Sequence, residues 1–119
     1  MSIYKKVWRK EFIERAFSTE RLLWLAEKEN FDDYELFFNN ERVQLVFFDD
    51  ELMLSIEMFL ENDLNFCKAA RAMFIHRNTM VYRINRIKKF MGLDLRTYGD
   101  ARLFDNMIKV FRYYGFYRT

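Results

Sequence analysis

Along most of this chain apolar residues recur every third or fourth position, and short polar clusters mark where each run starts and stops. Residues 3–17 read as a helix with a mixed face, its apolar positions being Ile3, Val7, Trp8, Phe12 and Ile13. Ser18 or Thr19 is placed to cap a second helix running to about Glu29 with Leu22, Leu23, Leu25 and Ala26. Asp32 is placed to cap a short third helix bearing Tyr34, Leu36, Phe37 and Phe38, which Asn39-Asn40 ends. Val43 to Phe48 shows no period that separates a short strand from the continuation of a helix.

From Asp49 the pattern sharpens. Asp49 or Asp50 suits an N-cap, and Leu52, Ile56, Phe59 and Leu60 recur at helical spacing up to Asn62-Asp63. Asn65 suits the cap of a helix over about 66–73 with Phe66, Ala69, Ala70 and Met73 inward. A turn at 74–76 leads into a longer helix from about Arg77 to Met91, and Gly92 is a C-terminal stop able to turn left-handed. Leu93 and Leu95 pin the next connection, and Asp100 opens a final helix with Leu103, Phe104, Met107, Ile108 and Phe111.

Composition agrees with helices throughout. The chain has 119 residues, fourteen of them Phe, with no Pro and three Gly. That is core material for one domain, or for one domain with an attached arm, and too few turn formers for a β-sandwich. The expected fold is all-α: a mostly helical, acidic N-terminal arm over residues 1–48, and a helical domain over 49–119. No apolar run of about 18 residues is present to span a membrane, and the N-terminus lacks the apolar core of a secretory signal. The single cysteine, Cys67, excludes an internal disulfide and suits a reducing compartment, so a cytoplasmic location is expected. One Cys and one His do not furnish a structural zinc site. A Cys67–His76 nucleophile pair is conceivable, but Cys67 falls in the apolar pattern of a short helix, where a buried, inert thiol is expected. Phosphate-binding glycine loops and nucleophile elbows are missing. No catalytic residue, cofactor or metal is therefore expected.

Charge changes the picture. Residues 1–63 carry fifteen acids and eight bases, residues 64–93 no acid and seven bases, and residues 94–119 three acids and five bases. The net charge of +2 thus hides a distribution of −7, +7 and +2. A basic block laid over two short helices and a turn is the footprint of a nucleic-acid contact, and this arrangement points to a helix-turn-helix reader of duplex DNA. In the 77–91 helix, Met80, Ile84, Ile87 and Met91 form one stripe, while Asn78, Tyr82, Asn85, Arg86 and Lys89 gather opposite. Amide, phenol and guanidinium groups without a carboxylate suit the major groove. Arg77, Asn78, Thr79 and Tyr82, at the start of the helix, are the candidates for base contacts. His76, Arg83, Arg86, Lys88 and Lys89 are the candidates for phosphate contacts. His76 serves equally well as a helix cap, Tyr82 as a packing residue and Arg83 as an intramolecular ion-pair partner. Ala69 and Ala70 give the backbones room to cross closely, and Ile75 plugs the corner.

The succession Phe59-Leu60-Glu61-Asn62, Asn65, Ala69-Ala70, Phe74-Ile75-His76-Arg77-Asn78-Thr79, Tyr82-Arg83-Ile84, Arg86-Ile87 and Gly92-Leu93-Asp94-Leu95 resembles the C-terminal helix-turn-helix domain of the PucR/CdaR family of bacterial transcription regulators. Its Ala-Ala…Ile-x-Arg-x-Thr core is also similar to the Fis-type DNA-binding motif. The resemblance implies DNA binding through the 77–91 helix. Those regulators carry sensory and GGDEF-like portions upstream that have no counterpart here; residues 1–30 match none of the family's pattern, and a short regulator and an excised piece both stay open.

The expectation is a sequence-specific binder of double-stranded DNA acting in transcription, cytoplasmic and nucleoid-associated when bound. It is expected as a homodimer, paired through the aromatic final helix and tail (Phe104, Phe111, Tyr113, Tyr114, Phe116, Tyr117) or the acidic arm. The competing expectation is a protein-interaction module that keeps the fold without binding DNA.

Overall fold

The computed structural model describes residues 10–28 and 32–113. They form eight helices: α1 (Lys10–Ala16), α2 (Thr19–Lys28), α3 (Asp32–Phe38), α4 (Glu41–Phe47), α5 (Asp50–Glu61), α6 (Phe66–Ala72), α7 (Arg77–Met91) and α8 (Tyr98–Tyr113). Among the described residues there is no strand, and none of their helices is long and apolar enough to cross a membrane. The expected positions Ile3, Val7, Trp8 and Glu29 lie outside the described residues.

Side-chain caps set most of the boundaries. Ser18 Oγ accepts the Arg21 amide ahead of α2, and Asp49 Oδ1 accepts the Leu52 amide ahead of α5, at 3.1 and 3.0 Å. The ambiguous segment at 43–48 is helical. Asn40 takes an extended conformation, and its Oδ1 accepts the Arg42 and Val43 amides at 2.9 and 3.3 Å, so the residue that follows α3 also starts α4. One expectation is corrected: Asp100 does not open the last helix. α8 begins at Tyr98, with Thr97 Oγ1 accepting the Asp100 amide, and the Asp100 carboxylate turns back to accept the Asp94 amide at 2.8 Å. Asp100 also pairs with Lys10 of α1 at 3.1 Å, which raises the lysine's pKa.

The core is continuous. Aromatic rings run from Phe17 through Phe37, Phe38 and Phe47 to Phe104 and Phe111, successive centroids lying 4.9–5.2 Å apart. The Asn106 amide of α8 donates back to the Phe17 carbonyl, at the start of that series, at 2.8 Å. Phe104 and Phe111 are thus interior, which corrects their assignment to a dimer surface: burying them against Phe47 removes them from any partner. The Tyr113 side chain and Tyr114, Phe116 and Tyr117 lie outside the described residues.

A short connection joins α7 to α8. Gly92 leaves α7 at φ +73°, a conformation that strains any residue with a Cβ, and Leu93 and Leu95 insert fully into the core. Between them Asp94 accepts the Arg96 guanidinium through Nε and Nη2 at 2.9 and 3.0 Å, and the Arg96 amide at 3.1 Å. The hydrogen bonds from the Arg96 side chain are the main reason the Asp94 carboxyl is lowered to about 2. A carboxyl with a depressed folded pKa stabilises the fold above its unfolded value of about 3.9, and that contribution fades as pH falls through the folded pKa. Asp94→Asn is therefore expected to melt below the parent at neutral pH, with the gap closing between about pH 4 and pH 2. A gap that stays constant over that range in thermal melts would show that the ion pair carries no stability.

Candidate nucleic-acid interface

Helices α6 and α7 meet where small residues permit it. Ala69 and Ala70 are buried, and the Ile75 amide donates back to the Ala70 carbonyl at 3.0 Å, which closes the turn. Ile75 packs against the core at the corner. His76 then caps α7: its backbone is extended, and Nδ1 accepts the Asn78 amide at 3.0 Å. Of the two roles open to His76 at the sequence level, the structure shows the cap.

Met80, Ile84, Ile87 and Met91 are all buried, as their spacing predicts. Directly opposite stand Asn78, Tyr82, Asn85 and Lys89, within an arc of roughly 60° at about 100° per residue, and all four are exposed. Tyr82 is 68% exposed, so most of its side chain is open to solvent. Arg77 is exposed at the first turn with its guanidinium 5.7 Å from the Phe66 ring, and Thr79 is half-buried beside it.

The cations divide into two groups. Arg83 is held inside the fold: it donates to Ser55 Oγ at 3.0 Å and pairs with Glu51, both on α5. Arg86 lies 3.6 Å from the Asp49 carboxylate and over the Phe90 ring. By contrast Lys68, Arg71, Arg77, Lys88 and Lys89 are exposed, and none forms an ion pair with a described residue. Two of these five, Lys68 and Arg71 of α6, were not among the residues singled out from the pattern of α7. Their signal was their place in the acid-free run.

Positioning comes from elements outside the helix pair. Arg83 and Arg86 tie α7 to α5 and to the cap before it, and Arg42 of α4 donates to the Lys89 carbonyl at 3.4 Å in the last turn of α7. A cation there complements the negative end of the helix dipole. Periodicity gave no hint of Arg42; Ser55, fully buried on the apolar face of α5, was the one local anomaly. Cys67 is exposed, which corrects the expectation of a buried thiol: only Ala69 and Ala70 of the short α6 are buried.

Residues 52–105, from the body of α5 into α8, match the family described as the PucR C-terminal helix-turn-helix domain. The chain is 33% identical over 87 residues to the uncharacterized protein YxkF of Bacillus subtilis (strain 168), an overlap of 69% of this chain and 27% of that protein. It is 53% identical over 34 residues to the carbohydrate diacid regulator of Escherichia coli (strain K12), an overlap of 29% of this chain and 9% of the regulator. The chain therefore spans about a quarter of the length of the first relative and about a tenth of the second. No solved structure matches it. The α6–α7 pair thus lies wholly within the span that is similar to the PucR C-terminal helix-turn-helix domain.

Proposed function

We propose that the chain binds duplex DNA as part of a transcription regulator, laying α7 in the major groove. The observation that carries this reading is the exposed face of α7: Asn78, Tyr82, Asn85 and Lys89 in line, no carboxylate on the helix, and Arg77 and Lys88 beside them, with no ion pair from Arg77, Lys88 or Lys89 to a described residue. A helix that is merely solvated mixes charge signs and uses i,i+4 ion pairs, as Asp105 and Lys109 do on α8 at 3.1 Å. In this reading Arg77, Asn78, Thr79 and Tyr82 meet base edges. Lys88 and Lys89, joined by Lys68 and Arg71, hold phosphates. His76 and Arg86 reach the backbone only in addition to their internal partners, and Arg83 serves chiefly to hold α7 on α5. One helix pair covers a single half-site, so the working form is a homodimer on a two-fold site; binding DNA also places it in the cytoplasm at the nucleoid.

Salt dependence tests the reading. Affinity for labelled genomic fragments, followed by fluorescence anisotropy over a series of salt concentrations, is expected to fall steeply and linearly on logarithmic axes. Lys89→Ala is expected to reduce that slope by about one unit and to weaken binding to all sequences alike. A flat or absent response would favour an interaction module that has the fold without the DNA contact.

A further inference from the structure

We propose that Phe74, in the turn between α6 and α7, is itself a DNA-contacting residue, its ring making an apolar contact with sugar or thymine methyl groups beside the start of α7. The proposal rests on the DNA-binding reading above and adds a residue and a kind of contact to it.

Three non-glycine residues have a left-handed backbone among those described: Asp63, Leu64 and Phe74, at φ +58°, +60° and +56°. Asp63 belongs to a residue type that tolerates this region through its short polar side chain. Leu64 is a bulky residue in the same region, but it packs against the core and its amide closes the end of α5 on the Phe59 carbonyl at 3.0 Å. Phe74 has no such compensation. Its amide donates to the Arg71 carbonyl at 3.1 Å, a bond that any residue with an N–H makes, and its side chain is 96% exposed. The next residue, Ile75, packs against the core. Folding alone would favour glycine at position 74, which takes a positive φ without strain and puts no apolar ring in water. A large aromatic there is accounted for by a contact made outside the folded chain.

The surroundings indicate which contact. Phe74 precedes the cap of α7 by two residues, and the N-terminal end of the second helix is the part of such a motif that approaches base edges. Its charged neighbours in the two helices, Lys68, Arg71 and Arg77, are exposed cations without an ionic partner among the described residues, and no acid lies between Leu64 and Leu93. An exposed ring set among unpaired cations fits a polyanion that also offers apolar surface, and duplex DNA does so through deoxyribose and the thymine methyl.

The test begins with a random-sequence duplex library from which the wild-type chain selects its ligand. Affinity for the selected duplex is then measured over a salt series for the wild type and for Phe74→Gly. Glycine is expected to weaken binding by about five- to twenty-fold. The salt slope should stay unchanged, because an apolar contact releases no counterion, and the melting temperature should hold or rise because the strained φ is relieved. Replacing thymine by deoxyuridine in the same duplex should weaken the wild type more than the glycine variant if the ring meets a methyl group, and both equally if it meets the sugar. Equal affinity of the two proteins would overturn the proposal while leaving the DNA-binding reading intact. So would a loss of affinity accompanied by a changed oligomeric state in sedimentation, which would assign Phe74 to a protein contact. If the wild type itself selects no duplex in a salt-dependent way, the underlying reading fails and this inference with it.

Discussion

Phe47→Ala is expected to lower the free energy of unfolding by about 3–5 kcal/mol, in the range for truncating a buried aromatic. The side chain is 4% exposed and touches three rings: Phe38, Phe104 and Phe111, at 5.1, 5.2 and 4.9 Å between centroids. Removing it leaves a cavity between helix α4 and the final helix that rigid neighbours fill only in part. A domain of this size is stable by about 5–15 kcal/mol, so the variant should sit near its unfolding threshold at physiological temperature. Urea denaturation followed by far-ultraviolet circular dichroism should show one cooperative transition with a lower midpoint, since the damaged core is shared by residues from Ile13 to Phe111. We further propose that residues before Asp49 fold as one cooperative unit with the rest. A loss below about 1 kcal/mol, or a transition that splits in two, would show instead that the N-terminal helices are a separable addition.

Asn78→Ala should leave that stability within a few tenths of a kcal/mol while relaxing sequence preference, because the side chain is exposed and its backbone amide, not its side chain, takes the His76 cap. If Asn78 holds an adenine edge with its amide oxygen accepting from N6 and its amide nitrogen donating to N7, its removal costs about 1–3 kcal/mol at one base pair per half-site and little elsewhere. Tyr82→Phe and Tyr82→Ala should act similarly one turn along. Arg83→Ala is the useful contrast: it breaks the bonds to Ser55 and Glu51, so it should destabilise the fold and leave the salt slope as it was. Comparing selected duplexes across these variants separates reading from holding. Uniform weakening by all of them would mean that the reading face has been placed on the wrong side of α7.

The helices themselves were legible because each carries its own signals. The 77–91 helix, its buried stripe and its glycine stop depend on periodicity and a left-handed terminus, both of them local properties. Residues 43–48 were not legible by the same means, since a short apolar run fits a strand or a helix equally well. What decided it was Asn40, whose side chain caps the following helix as well as lying at the end of the one before. Asp100 misled for a related reason: an acid near a helix start resembles a cap, but here the cap is Thr97 and the carboxylate holds the Asp94 amide.

The run of charge determined, with no structure, that residues 64–93 are a basic surface, and residue order alone determined the helix-turn-helix. Neither depends on distant parts of the chain. Which of the seven cations remain available was decided only by the tertiary structure, because an ion pair depends on what another element brings within reach. Glu51 and Asp49 lie more than thirty positions before the arginines they meet, and they reach Arg83 and Arg86 only once α5 packs across α7. Packing against Phe47 of α4 buries Phe104 and Phe111, which hydrophobicity alone assigned equally well to a partner surface. Local sequence sets what each helix is, and long-range packing sets which of its faces and charges are left exposed.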